Sequence, residues 1–417
     1  MTAFQLKLGK ELATIEIEEK NLLGVLYPNE LPSVSNQLEE VRRALKNPIG
    51  SKPLHEIVKA EDKVVVMVSD ITRPSPSKIL LPPILEELDR IGIADGQVTI
   101  VFGMGIHRNH TEEEKCQLVG KDIYRRYRCV DSTESDDYVS YGTTSRGTPI
   151  EICRPVAEAN VRICTGNLEY HYCAGYSGGA KAIMPGASSH RSIEVHHALQ
   201  LMEGSEIGRL DANPFRDDIE EIGEKVGIDF IVNAVLNEKK EIVQVVAGHP
   251  QKAHRAGCET IDRMYQLPIS CLGDVVVVSA GGFPKDLNVY QAQKALENAQ
   301  YAVKPGGTII LVAKCQEGAG EDIFQTWMEE ANSPDEVLAR LKQKFVMGGH
   351  KAAAIARVIK KAQVFLVSAM PEKNVRDLFF QPKASLQQAL ADAIKENGPE
   401  SGVWVIPYGG STLPKLS

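Results

Sequence analysis

The chain has 417 residues, which at roughly 100–200 residues per domain suggests two or three domains. Its 43% apolar and 24% charged residues are ordinary for a globular protein, and 55 acidic against 47 basic residues leave a net charge of −8. That balance excludes a partner bound by neutralising nucleic-acid phosphates, and no apolar run reaches the ~18–20 residues of a membrane span. No basic segment followed by an apolar run opens the sequence, so the expected compartment is the cytoplasm. The eight cysteines form no CxxC pair and read as buried, reduced thiols.

In chain order, VVVMVSD (64–70) reads as a buried strand and is followed by a helix near 79–91. QVTIVFGMG (97–105) is a second strand. A charged helix begins at Thr111, whose hydroxyl and the glutamates after it suit a helix N-terminus. VRICTG (161–166) is a third strand. DFIVNAVL (229–236) and EIVQVVAG (241–248) predict a hairpin about Asn237, Glu238 and Lys239. From about residue 268 the alternation restarts, with DVVVVSAGG (274–282), a helix over 291–301, GGTIILVA (306–313) and QVFLVS (363–368). VWVIPYGG (403–410) closes the chain as a last strand. The pattern predicts an α/β protein of two Rossmann-like domains with the active site in the cleft between them. The expected division is 1–267 plus 398–417 against 268–397.

Ligands of open α/β sheets bind beyond the carboxyl ends of the strands, so the residues after each strand are the ones to inspect. Four such ends are polar or glycine-rich. The first carries Asp70, Thr72 and Arg73. This pair of charges either caps the next helix, or the Arg73 fork binds a carboxylate or phosphate at two points. The second carries His107, Arg108 and His110. His107, directly after a strand and glycine turn, suits acid–base work, whereas His110 reads as a surface residue at a helix start. The third carries His171, in a position like that of His107, and then Gly175-Tyr176-Ser177-Gly178-Gly179-Ala180-Lys181. That run resembles an anion cradle or, equally, a tight turn with a solvated lysine; it lacks the Walker A spacing. His190, His196 and His197 follow on a short helix, where the adjacent His196 and His197 point in different directions. The fourth end places Gln291 and Lys294 three apart on one helical face.

SDITRPSP, GIHRNHTEEE, HYCAGYSGGAKAIMPG, the downstream His197 and GGFPKDLNVYQAQK stand in the order and spacing of the nickel-dependent lactate racemase family, which this chain resembles over about residues 1–415. The resemblance implies an isomerase acting on a 2-hydroxy acid. It implies a nickel pincer nucleotide, a pyridinium mononucleotide whose thioamide and thiocarboxylate sulfurs and one ring carbon hold nickel. In such enzymes a lysine of the SGGxK motif, here Lys181, is joined to the cofactor. A histidine sixteen residues further on, here His197, completes the nickel coordination. Soft sulfur, carbon and nitrogen donors in a plane suit nickel. The implied catalytic pair is His107 and His171, working through a 2-keto acid with proton and hydride transfer coupled. The implied carboxylate ligands are Arg73 and Lys294 with Gln291 nearby, and Asp70, Thr72, Ser177, Gly178 and Gly179 would surround the cofactor. The implied partners are the small-molecule substrate and the enzymes that build the cofactor, which this chain does not encode.

One position departs from the family. Where the lactate enzyme has a tryptophan near its substrate, alignment through AAAIAR places His350, and Trp404 lies too far along the chain to replace it. Either the substrate is larger or more polar than lactate, malate for example, or His350 is a satisfied turn residue and the substrate is unchanged. Two other classes compete. An NAD-dependent 2-hydroxy acid dehydrogenase would share the topology, but GMGIHR lacks the third glycine of GxGxxG. A non-catalytic binding protein for an anionic metabolite would leave the placement of Lys181, His197, His107 and His171 without a reason.

Overall fold

A computed structural model describes residues 1–346 and 348–417. The chain forms two compact units, one of Glu30–Arg263 and one of Met1–Asn29 with Met264–Ser417.

The Glu30–Arg263 unit is built on six strands in the order Ile242–Gly248, Phe230–Leu236, Val161–Leu168, Val64–Ser69, Val98–Gly103, Arg128–Asp131. All run parallel except Ile242–Gly248, which returns from Phe230–Leu236 as the expected hairpin. The central strands are apolar on both faces because helices cover both, and Val161–Leu168 is buried at every position. Val64, Val66 and Val68 pack with Leu80, Ile84 and Leu88 of the helix Ser77–Ile91. The charged helix is Glu112–Val119, capped by Thr111 and Glu114 in a reciprocal box. Strand order reverses between Val64–Ser69 and Val161–Leu168. The loops after these two strands therefore diverge to opposite faces and leave a crevice at their carboxyl ends, the usual place for a ligand.

The second unit has a wholly parallel sheet in the order Gln381–Lys383, Gln363–Val367, Val303–Val312, Gly273–Ser279, Val403–Ile406, Leu22–Val25. Here the order reverses between Gly273–Ser279 and Val403–Ile406, directly before the helix Val289–Ala299 that carries Gln291 and Lys294.

The division differs from the expected one. Residues 1–29 and 398–417 belong to the second unit, not the first. Without Val403–Ile406 and Leu22–Val25, the apolar strand Gly273–Ser279 would be an open edge. The N-terminal hairpin Thr2–Leu8 and Glu11–Ile17 also buries Leu6, Ile15 and Ile17 against Val275, Val277 and Ile310. No described helix is long and apolar enough to cross a membrane.

Candidate active site

The loop after Val64–Ser69 is organised by the buried Asp70. Its Oδ1 accepts the Thr72 N–H at 2.7 Å and its carbonyl accepts the Arg73 N–H at 3.1 Å. Its Oδ2 lies 3.4 Å from His107 Nδ1, an ion-pair distance only: among the described residues that buried nitrogen has no hydrogen-bond partner. Burial alone would raise the Asp70 carboxyl, but His107, the Thr72 contacts and the charge of Arg73 outweigh it and hold it at about 2. An ionised carboxylate beside Nδ1 draws the imidazole proton to that side and leaves the lone pair of neutral His107 on Nε2. The Arg73 guanidinium is exposed and bonds Thr72 Oγ1 at 2.9 Å.

His110 is not the surface residue the sequence suggested. Its side chain is 1% exposed; Nδ1 and its own N–H donate to Asp131 at 2.7 and 2.8 Å, and Nε2 accepts the Ile71 N–H at 3.1 Å. One neutral imidazole therefore ties the ends of three neighbouring strands together and fixes the loop that carries Asp70 and Arg73. The alternation of polar residues in GIHRNHT gives no sign of this, because the partners lie 21 and 39 residues away.

After Val161–Leu168 the chain makes a two-residue hairpin, Tyr170–His171 against Gly175–Tyr176. The loop is gripped from below. Asn213 Nδ2 donates to the Cys173 carbonyl at 2.9 Å, Arg216 Nε to Ala174 at 3.0 Å, Arg216 Nη2 to Tyr176, and His254 Nε2 to Ser177 at 2.8 Å. Tyr170 and Tyr176 both donate to Asp262, at 2.8 and 2.6 Å. His171 Nδ1 accepts the Ala174 N–H at 3.2 Å, so neutral His171 carries its proton on Nε2. Burial, then the charges of Lys181, Arg73, Arg216 and His197, push His171 well below the ordinary histidine value.

The glycine run does not form an open array of donors. The Ser177 N–H donates to the Glu169 carbonyl and the Gly179 N–H to Asn233 Oδ1, both at 2.8 Å, while the Ser177 hydroxyl donates to Asn167. The small residues serve close packing instead. Gly178 has φ +74°, and a Cβ there would sit 2.5 Å from Leu168 Cδ2 and 2.8 Å from Asn233 Oδ1. The run is a rigid shelf that carries Lys181. Burial pushes the Lys181 amine down; Cys173 opposes this, Arg216 and Arg73 add to it, and the result is about 7.

The helix His190–His197 separates its two terminal histidines. His196 is fully buried, with Nδ1 3.0 Å from Asp218, which also accepts from Thr148 at 2.7 Å. His197 is half-buried, and its Nδ1 donates to the Ile193 carbonyl at 2.9 Å, which makes Nε2 the lone-pair nitrogen. Both surround Phe215, a residue sequence reasoning did not single out. The centroids of His196, His197 and His171 lie 4.1, 5.3 and 6.3 Å from its ring, and Lys181 Nζ lies 5.8 Å away. Asn213 and Pro214, cap and first residue of the helix Pro214–Val226, were the available signal that Phe215 and Arg216 sit in a helical first turn.

In the second unit, Gln291 and Lys294 are exposed on the helix Val289–Ala299, capped by Asn288. Asp286 is buried and structural: its Oδ2 accepts the N–H groups of Gly9 and Lys314 at 2.5 and 3.0 Å, which fastens the N-terminal hairpin to GGFPKD. His350 is 7% exposed; burial, with Lys351 beside it, lowers it to about 3. A Cβ on Gly349, the residue before His350, would lie 2.7 Å from the Trp327 ring. Trp404 is structural, with Nε1 donating to the Cys271 carbonyl at 3.0 Å. Among the described residues no three His, Cys, Asp or Glu side chains converge as a metal cage.

Comparison with known proteins finds similarity along nearly the whole chain. Residues 8–208 match the lactate racemase N-terminal domain and residues 270–413 the lactate racemase C-terminal domain. The chain is 32% identical to a lactate racemase of Thermoanaerobacterium thermosaccharolyticum, covering 99% of each sequence. It is 31% identical to a lactate racemase of Lactiplantibacillus plantarum, covering 100% of each. The solved apoprotein structure of the lactate racemase from T. thermosaccharolyticum superposes with a TM-score of 0.89 at 30% identity, covering 99% of this chain and all of that one. A Thermotoga maritima protein shares the fold at a TM-score of 0.63 and 21% identity, covering 94% of this chain and all of that one.

The His110 tie makes a direct prediction. His110→Ala removes the side-chain donor to Asp131 Oδ1, while the backbone donor to Oδ2 remains, and leaves the Ile71 N–H without its acceptor; it should cost about 3 kcal/mol in urea denaturation. His110→Gln, which can still accept from Ile71, should lose less than half of that.

Proposed function

We propose that this chain, which belongs to the lactate racemase family, inverts the carbinol carbon of a 2-hydroxy acid using a nickel pincer nucleotide held by Lys181 and His197. The observation that carries the reading is the pair of histidines at the two sides of a topological switch point, set by their partners in opposite neutral forms. His107 offers a lone pair at Nε2, and His171 offers an N–H there. Inversion through a planar keto acid needs one group that takes the hydroxyl proton and one that hydrogen-bonds the oxygen from the other side.

The residues present fit the cofactor. His197 is oriented as metal-ligating histidines are, with Nδ1–H on a backbone carbonyl and Nε2 as the donor atom. The absence of a protein cage among the described residues agrees with a metal whose remaining donors belong to an organic group. Lys181, at about 7 instead of its ordinary 10.5, has a substantial neutral fraction near neutral pH and so is a competent nucleophile for an acyl carbon. When bound, the group supplies the site that takes up and returns the carbinol hydride.

The chain's own residues do the rest. Asp70 holds the His107 proton on Nδ1, so that Nε2 accepts the substrate hydroxyl proton. His171 enters as a neutral donor to the same oxygen, and the proton taken up at His107 Nε2 returns to that oxygen when the carbinol is re-formed, so neither ring changes its proton count over the cycle. Arg73 is the carboxylate ligand of the Glu30–Arg263 unit; Gln291 and Lys294 stand exposed on the helix Val289–Ala299 of the other. Asp70 and Thr72 shape the loop beside the cofactor, and Ser177, Gly178 and Gly179 form the shelf that aims Lys181. His350, where the family's lactate enzyme has a tryptophan, is the position at which the choice between one 2-hydroxy acid and another is read. Cofactor-building enzymes are required partners, and expression without them should give an inactive chain.

His107→Ala and His171→Ala should each lower kcat by ~10²–10⁴-fold while the cofactor mass on the chain is retained. Chiral chromatography of single-enantiomer substrate checks this, and in D₂O the product should keep protium at C2. Exchange of deuterium into C2, or turnover dependent on added NAD, would contradict the reading. Competitive acetylation of the apoprotein should show Lys181 reacting with a midpoint near pH 7. Its reactivity should fall as the pH drops below that, while exposed lysines titrate near their ordinary ~10.4.

A further inference from the structure

The hairpin that carries His171 is too short to specify its own register. Its ladder has two residue pairs, Tyr170 with Tyr176 and His171 with Gly175. Successive side chains of a strand point to opposite faces, so Tyr170 and Tyr176 share one face and His171 takes the other. A slip by one residue would exchange the faces, and so short a ladder does little to prevent it. The grips of Asn213, Arg216 and His254 act on carbonyls of the turn and the returning half, at Cys173, Ala174, Tyr176 and Ser177. Among the described residues the only hydrogen bond that reaches Tyr170–His171 from outside the hairpin comes from Asp262.

Asp262 ties the tyrosine face to a single atom. Its Oδ1 accepts the Tyr170 hydroxyl at 2.8 Å and the Tyr176 hydroxyl at 2.6 Å, so it joins the two cross-strand partners. The Tyr176 hydroxyl also lies 3.3 Å from the Gly208 carbonyl, but it has one proton, and the nearer, charged acceptor takes it. Burial and Asp262 hold both hydroxyls far above the ordinary tyrosine value, so both remain donors. Asp262 stands in the helix Pro250–Tyr265 on the same side as His254, so one rigid element holds the tyrosine pair and the Ser177 carbonyl that follows it.

We propose that Asp262 is a positioning residue for His171: by binding the Tyr170–Tyr176 pair through one oxygen it keeps the hairpin in register, and the register keeps the His171 proton on Nε2. The link is local. The groups that crowd His171 Nδ1 belong to the turn itself, the Ala174 N–H at 3.2 Å and the Cys173 N–H at 3.5 Å, and a turn that slips or opens withdraws them. The claim deepens the racemase reading, in which His171 donates from Nε2; its catalytic consequence rests on that reading, and its consequence for the imidazole does not.

The test is nitrogen-15 NMR of the full-length chain, free of cofactor and labelled at histidine, with the His171 resonances assigned by their absence from His171→Gln. The two ring nitrogens of a single tautomer resonate far apart, and those of a mixture converge. The unsubstituted chain should show one tautomer, protonated at Nε2, and Asp262→Ala a mixture. Asp262→Asn, whose amide oxygen can accept both hydroxyls, should keep the single tautomer. The double variant Tyr170→Phe, Tyr176→Phe retains both rings without their donors and should match Asp262→Ala, so the result does not depend on one variant folding. In the cofactor-loaded chain, with lactate and malate as probes, kcat should fall about 10–100-fold in Asp262→Ala with KM little changed, and recover in Asp262→Asn. A purely structural Asp262 would lower the melting temperature of Asp262→Ala and leave His171 in its single tautomer; that result, in either Asp262→Ala or the double phenylalanine variant, would overturn the proposal. A loaded, unsubstituted chain that inverts neither probe would count against the racemase reading, while the spectra still decide on Asp262.

Discussion

A fully buried guanidinium holds the catalytic loop in place. Arg216, in the first turn of Pro214–Val226, spends its donors on the carbonyls of Ala174 and Tyr176 and thereby fixes the hairpin from which His171 projects. Its neighbour in that turn, Phe215, is the surface on which Lys181, His171, His196 and His197 assemble. Burying an arginine is costly unless its hydrogen bonds are made, and here the satisfied bonds are those that shape the site. The same charge has an electrostatic effect. It is among the causes that keep His171, Lys181 and His254 below their ordinary values, so a group that must act as a neutral donor and a group that must act as a neutral nucleophile share one positive field.

Around that constraint the histidines divide by partner. Five of them sit within or beside the site, and the group on Nδ1 distinguishes them. A carboxylate on Nδ1 makes His107 an acceptor at its far nitrogen, and a backbone N–H makes His171 a donor there. A backbone carbonyl leaves Nε2 as the lone-pair nitrogen of His197, and buried carboxylates commit His196 and His110 to structure. Residue type alone says nothing about these roles. Each depends on a contact made across the fold, which also explains why adjacent residues, His196 and His197, come to serve different purposes.

The strands singled out were legible because strands buried on both faces read as continuous apolar runs, and each of those runs became a strand, whereas the order of strands in each sheet and the N-terminal strands were not read from the sequence. The polar ends of those runs were legible for the same reason, since a loop rich in Asp, Arg and His after a buried strand has few structural uses. What the sequence hid were long-range commitments. His110 looked exposed because its partner Asp131 follows a different strand, and the glycine run looked like an anion cradle because its N–H groups are taken by Glu169 and Asn233. The domain boundary was misplaced because Val403–Ile406 suits either sheet by pattern, and only the open edge of Gly273–Ser279 decides which one it joins. Trp327 was missed because its contact with Gly349 spans two helices that no local pattern connects.

The claim on which everything else depends is that Lys181 and His197 together hold a nickel-bearing organic group. Intact-protein mass spectrometry with nickel analysis, after co-expression with enzymes that build the pincer nucleotide, tests it most directly. The account predicts a mass increase confined to the peptide containing Lys181, with nickel near one per chain and lost in His197→Ala. An unmodified, nickel-free chain, from cells in which a control racemase is loaded, would contradict it.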